Sequence, residues 1–153
     1  MACISLRGKP VEYVSTCKYL GFYIVASRHF KISIHEDLCR FFGSANSILS
    51  STSCPRENVQ IHLLYRNCVP RLSYGAAVKN LTASEMRQCN VAINNAVRRI
   101  FGFRRWESIR QTRQYYHFDS IEEIFAKAKT RFEKSLTDHG NCVLRFLYNS
   151  VNQ

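Results

Sequence analysis

Near residue 30 the hydrophobic period of this chain changes from that of a strand to that of a helix, and the change limits what it can fold into. Ahead of it, Ile4 and Leu6 alternate with Ser5 and Arg7, "RGKP" offers a turn, and Val11, Val14 and Tyr19 to Val25 supply strand formers. Beyond it, Ile34, Leu38, Phe41, Phe42, Ala45, Ile48 and Leu49 follow steps of three and four, which make one wide apolar stripe. Only three prolines and six glycines interrupt 153 residues, which favours long helices over a turn-rich β fold. Two or three short strands hold too little core to stand alone. The expectation is a mainly α chain, a helical bundle of about five to six helices with a small N-terminal β-hairpin or β-meander. Residues 1–26 form the β element and 27–153 the helical domain.

Helix boundaries are written in local chemistry. Pro55 suits a first helical turn, where its missing N–H is harmless, with Ser53 or Cys54 as the cap. The helix that follows buries Ile61, Leu64, Tyr65, Cys68 and Leu72, and Pro70 within that register predicts a kink or break near Cys68–Val69. Thr82 and Glu85 make a capping box, in which hydroxyl and carboxylate satisfy opposing backbone donors. Met86, Cys89, Ile93, Ala96, Val97, Ile100 and Phe101 then keep a strict stripe until Gly102 closes the helix. A shorter helix is expected around Glu107 to Tyr116. Ser120 and Glu123 repeat the box ahead of Ile121, Ile124, Phe125, Ala128, Phe132 and Leu136, and a last helix is expected at about 141–151.

Charge bounds the partners. Lys and Arg number 22 against 11 Asp and Glu, a net charge of +11, which attracts polyanions, nucleic acid first among them. No apolar run approaches the roughly 20 residues that span a bilayer, and "MACISLRGKP" has no signal-peptide core, so no membrane role and an intracellular location (nucleus or cytoplasm) are expected. Seven cysteines at wide spacings, with no C-x-x-C, suit small apolar core residues in a reducing compartment better than a disulfide framework. His35 and Cys39, four apart, could share a metal, but two ligands are too few for a site. Neither metal nor cofactor is expected.

Catalytic chemistry finds little to use. The aspartates are Asp37, Asp119 and Asp138, each isolated, whereas two-metal chemistry on nucleic acid needs clustered carboxylates. Glu122 and Glu123 sit in a first helical turn, where carboxylates offset the dipole. A cysteine–histidine pair assembled from distant positions stays as a minor alternative. Binding has more material. Arg98, Arg99, Arg104, Arg105, Arg110 and Arg113 fall within sixteen residues, with Glu107 the sole acid among them and Phe101, Phe103 and Trp106 threaded between. Forked guanidinium donors suit phosphates, and exposed rings stack on unpaired bases. The same residues also suit a plainer role. Arg98 and Arg99 lie in a last helical turn, where cations are favoured, and Phe103 and Trp106 could plug the bundle where the chain turns.

The order of "KYLGFYI", a helix ending "ANSIL", "PRLSYGAAV", "NNAVRRIFG" and "ESIRQ" resembles the region after the catalytic palm in non-LTR (LINE-type) retrotransposon reverse transcriptases, from about Lys18 to Leu136. In that family the corresponding strand lies at the primer grip of the palm, and the helices after it form the thumb that holds the template–primer duplex by its backbone. The resemblance implies that Tyr19, Leu20 and Gly21 are the grip-side strand. It places Pro70, Leu72, Tyr74 and Gly75 between thumb helices, and Asn94, Arg98, Arg99, Ile100, Phe101 and Gly102 in the helix that follows. The family's paired aspartates are missing, so the resemblance implies a fragment without RNA-directed DNA polymerase activity. What it implies instead is backbone binding of RNA, DNA or hybrid duplex through Arg98, Arg99, Arg104, Arg105, Trp106, Arg110 and Arg113. The alternative is a protein-interaction or structural remnant, in which residues 17–26 seek the missing palm or another protein chain.

Overall fold

A computed structural model of the chain describes residues 5–29, 31–50 and 56–138. It forms two compact units, Met1–Glu36 and Asp37–Gln153. The architecture is mainly helical with an N-terminal antiparallel β element, as the change of period implies. The cap expected at Ser53 or Cys54 with Pro55, and the helix expected at about 141–151, lie outside the described residues.

In the first unit β1 (Ser5–Leu6) pairs with β2 (Lys9–Pro10), and β3 (Thr16–Tyr19), β4 (Phe22–Val25) and β5 (Lys31–Ser33) form a three-stranded meander. Both tight hairpins use one device. Arg7 and Gly8, then Leu20 and Gly21, are the two-residue loops, and all four have positive φ. Mirror-image turns of this kind match the twist of the paired strands and put residues in the left-handed region, where glycine carries no penalty. Leu20 and Gly21 are therefore the turn and not part of the strand, which corrects their expected place beside Tyr19. β5 also falls beyond the boundary expected at residue 26. Three residues are too few to show alternation, and they had merged into the helical pattern behind them. Lys18 faces Tyr23 directly across the ladder, its ammonium 5.8 Å from the ring centroid.

The second unit is built on α1 (His35–Ser50), α2 (Glu57–Leu63), α3 (Val69–Ser73), α4 (Ala83–Phe101), α5 (Arg110–Tyr115) and α6 (Ile121–Asp138). A π-helical segment, Leu64–Cys68, joins α2 to α3. This is the form that the expected break takes. Pro70 has no N–H for the carbonyl of Arg66 and its ring would strike it. The turn before it widens, so that the N–H of Val69 donates to the carbonyl of Leu64, five residues back. The helix thus passes through Pro70 without stopping, and Pro70 and Leu72 lie inside α3 instead of between helices. Tyr74 and Gly75 do lie in the turn that follows.

α4 is the central helix. Cys89, Ala92, Ile93, Ala96, Val97 and Ile100 are buried along it at steps of three and four, and it packs against α2 and α6. Its start is the expected box. The N–H of Glu85 donates to Thr82 Oγ1 at 3.2 Å, and the N–H of Thr82 donates to Glu85 Oε2 at 2.9 Å. Its end is Gly102 in the left-handed conformation, with the N–H groups of Gly102 and Phe103 both donating to the carbonyl of Arg98. The Ser120–Glu123 box opens α6 in the same way.

A buried ion pair ties the ends of these elements together. Lys79 Nζ donates to Asp37 Oδ2 at 2.6 Å, and each residue is only 5% exposed. Asp37 stands in the first turn of α1, and Lys79 follows a turn in which Val78 and Lys79 donate N–H groups to the carbonyl of Gly75. Removing one partner strands the other charge in the interior, at a cost of about 3–5 kcal/mol, whereas an apolar pair of similar volume is close to neutral. Lys79→Met alone is therefore expected to lower the urea midpoint sharply, and Asp37→Leu with Lys79→Met to restore most of it. Equal destabilisation by the single and double changes would show that the stranded Asp37 charge is not the source of the loss.

Candidate functional site

The arginine cluster divides into two sets. Arg98 donates from Nε and Nη2 to the carbonyl of Glu107 at 3.2 and 3.1 Å, and from Nη1 to Asn95 Oδ1 at 3.4 Å. Arg99 donates to Asn46 Oδ1 of α1 at 2.8 Å. Both stand in the last turn of α4, and their guanidinium groups tie the helix end to the following loop and to α1. Arg104, Arg105 and Arg110 are exposed and Arg113 is half-buried. Among the described residues none of the six forms an ion pair with a carboxylate.

The loop between α4 and α5 sets the exposed group. The N–H of Arg104 donates to Glu107 Oε2 at 2.8 Å and the N–H of Glu107 donates to the carbonyl of Arg104, which closes a tight turn over Arg104 to Glu107. Glu107 is thereby spent on backbone geometry, and the clamp from Arg98 holds the turn's last carbonyl. Trp106 is 78% exposed, with the Arg104 guanidinium 5.8 Å from its ring centroid. It does not plug the bundle. Phe103 does, half-buried and stacked on Phe101 at 5.5 Å.

Beneath α5 lies an aromatic cluster. Tyr65 stacks on Phe118 at 3.9 Å and 8°, His62 meets the edges of Tyr116 and Phe118, and Phe101 reaches Tyr116 at 5.9 Å. The Tyr116 hydroxyl bonds Asn58. α5 ends without a glycine: His117 takes the left-handed conformation at φ 54°, and the N–H of Phe118 donates to the carbonyl of Arg113 at 3.1 Å. This reversal opens a cleft of about 640 Å³ between α5 and the start of α6, lined by Arg110, Arg113, Gln114, His117, Phe118, Asp119, Ser120 and Glu123. Of these the sequence pointed to Arg110 and Arg113. Asp119 and Glu123 also line the cleft, Asp119 accepting both bonds of the Lys127 ammonium at 2.7 Å and Glu123 accepting the N–H of Ser120 at 2.6 Å.

A second groove, of about 450 Å³, lies between α1 and α4 and is mainly apolar, with Leu38, Phe42, Val91 and Ala92 in its wall. Tyr19, in the expected grip strand, is exposed on β3, which is an edge strand of its sheet. Among the described residues there is no group of three or more His, Cys, Asp or Glu placed to hold a metal ion, and no helix long and apolar enough to cross a membrane. No protein-family model, curated protein or solved structure matches the chain.

The buried thiols are held protonated. Burial pushes Cys89 up to about 11, with Lys79 pulling against it, and burial likewise raises Cys68. Cys17 and Cys39 are exposed. Tyr65 is pushed up to about 12 by burial, opposed by the Arg113 guanidinium, and its hydroxyl has no hydrogen-bond partner. The folded state holds the Cys89 and Tyr65 protons more tightly than the unfolded chain does. Their contribution to stability is therefore complete below pH 9 or so and is lost as pH rises toward about 11 and 12. Tyr65→Phe deletes an unsatisfied polar atom and should stabilise the fold at neutral pH by about 1 kcal/mol. It should also flatten the last part of the alkaline loss. Denaturant titrations at pH 7 and pH 11 check both, and a loss of stability at pH 7 would mean that the hydroxyl has a partner.

Proposed function

We propose that the chain is a thumb-like module that grips the sugar–phosphate backbone of nucleic acid and performs no chemistry on it, as the resemblance to non-LTR retrotransposon reverse transcriptases implies. One observation carries the reading: Arg104, Arg105 and Arg110 are exposed and free of carboxylate partners, on a loop and helix start that also expose Trp106. Guanidinium groups in that state exchange solvent and counterions for phosphate oxygens, and the ring offers a stacking surface that every base can use. Arg98 serves the interface indirectly, by holding the loop at the carbonyl of Glu107, and Arg99 ties the end of α4 to α1.

The reading has a quantitative consequence. With Arg104, Arg105, Arg110 and Arg113 each neutralising a phosphate, the affinity for a short RNA–DNA hybrid falls with salt at a log–log slope of about −3.6. Changing Arg104, Arg105 and Arg110 to Ala reduces that slope to about −0.9. Fluorescence titrations over a range of salt concentrations measure both. Association that ignores salt, or a triple variant that binds as well as the parent, removes the reading.

A second reading, a protein-interaction or structural remnant, is favoured by the apolar groove between α1 and α4 and by the open edge of β3. It prevails if removing residues 17–26 abolishes association while replacing the arginines does not.

A further inference from the structure

The cleft between α5 and α6 adjoins the exposed arginines and has the composition to take a single nucleotide. Resting on the nucleic-acid reading above, we infer that it takes one unpaired, phosphate-bearing nucleotide of a bound strand, so that the preferred ligand is a duplex with a single-stranded overhang. It is an open cleft, and its volume of about 640 Å³ gives room for one small ligand laid against its wall.

Three features of the wall argue for a whole nucleotide over a bare phosphate. Arg110 and Arg113 stand three apart on α5 and therefore share a face, and both line the cleft without a carboxylate partner. They supply the forked donors that a phosphodiester needs. Phe118, half-buried, also lines it and is backed by the parallel ring of Tyr65 at 3.9 Å, a rigid apolar surface for a base. The carboxylates of Asp119 and Glu123, and the side chain of Gln114, add acceptors that can take the exocyclic amino groups of a base or a ribose hydroxyl. Lys127 offsets the charge of Asp119, while Glu123, bonded only by a neutral N–H, keeps its charge and lone pairs for a donor. A polyphosphate or a plain phosphate backbone brings acceptors and no donor for Glu123 or the Gln114 carbonyl. A base or sugar edge uses them.

The test is a pair of fluorescence anisotropy titrations of the whole chain at one salt concentration, with a blunt RNA–DNA hybrid and with the same hybrid carrying a three-nucleotide overhang. The overhang should be bound about tenfold more tightly, the lower end of what one stacked base contributes. Arg110→Gln with Arg113→Gln should remove that preference. Gln114→Ile, which puts a branched apolar side chain at the mouth, adds no ring on which a base could stack and leaves every charge in place, should weaken that preference. Arg104→Gln with Arg105→Gln should weaken both ligands equally and leave the ratio intact. Equal affinity for the two ligands, or a preference that survives Arg110→Gln with Arg113→Gln, overturns the cleft assignment. If blunt-hybrid binding is then still present and salt-dependent, the broader reading stands. If neither ligand binds, both fall together.

Discussion

Asp37 and Lys79 are forty-two positions apart in the chain and meet at 2.6 Å in an interior that gives neither of them water. A buried pair of this kind adds little net stability over apolar residues. Its force is exclusion. Any packing that separates the first turn of α1 from the linker between α3 and α4 costs the buried Asp37 carboxylate its ammonium partner in a low-dielectric core. Cys89, whose thiol responds to both charges, marks how close the pair lies to the central helix. The start of α4 is thereby fixed twice, once by the pair in the preceding linker and once by the Thr82–Glu85 box.

From that start the rest of the surface follows along one rigid helix. α4 runs through its buried stripe to Gly102, and at its end Arg98 bonds the carbonyl of Glu107 and Arg99 bonds Asn46. Two cations that count toward the net charge thus have donors committed within the fold, and the loop that Arg98 steadies carries Arg104 and Arg105. The division of labour is physical. A guanidinium that satisfies a backbone carbonyl cannot also bind a phosphate through the same donors.

Much of the fold was legible because its signals are local. Thr82 with Glu85, and Ser120 with Glu123, state helix starts within four residues, and Gly102 states an end. What escaped was either too short or too distant. β5 spans only Lys31–Ser33, so no alternation could show. Pro70 announced a break near Cys68–Val69 but not that a π turn would absorb it. His117 ends α5 in a conformation usually left to glycine, and nothing in its neighbours signals that. For the candidate site, the run of arginines was plain, while the bonds of Arg98 and Arg99 depend on a carbonyl nine residues away and an amide fifty-three away. The wall of the cleft includes Phe118, in the loop between α5 and α6, whose stacking on Tyr65 of the π-helical segment no spacing in the chain reveals.

The widened turn at Leu64–Cys68 has a consequence for how this chain can vary. In a regular helix the fourth residue after Leu64 would sit below it, and here the wider turn puts the fifth, Val69, in that place. The extra residue is absorbed within Leu64–Cys68, so Val69 and Leu72 keep facing the interior beyond it. Deleting a single residue from that stretch would restore regular winding and leave the same face buried, whereas one lost from α3 would turn the residues after it by about 100°.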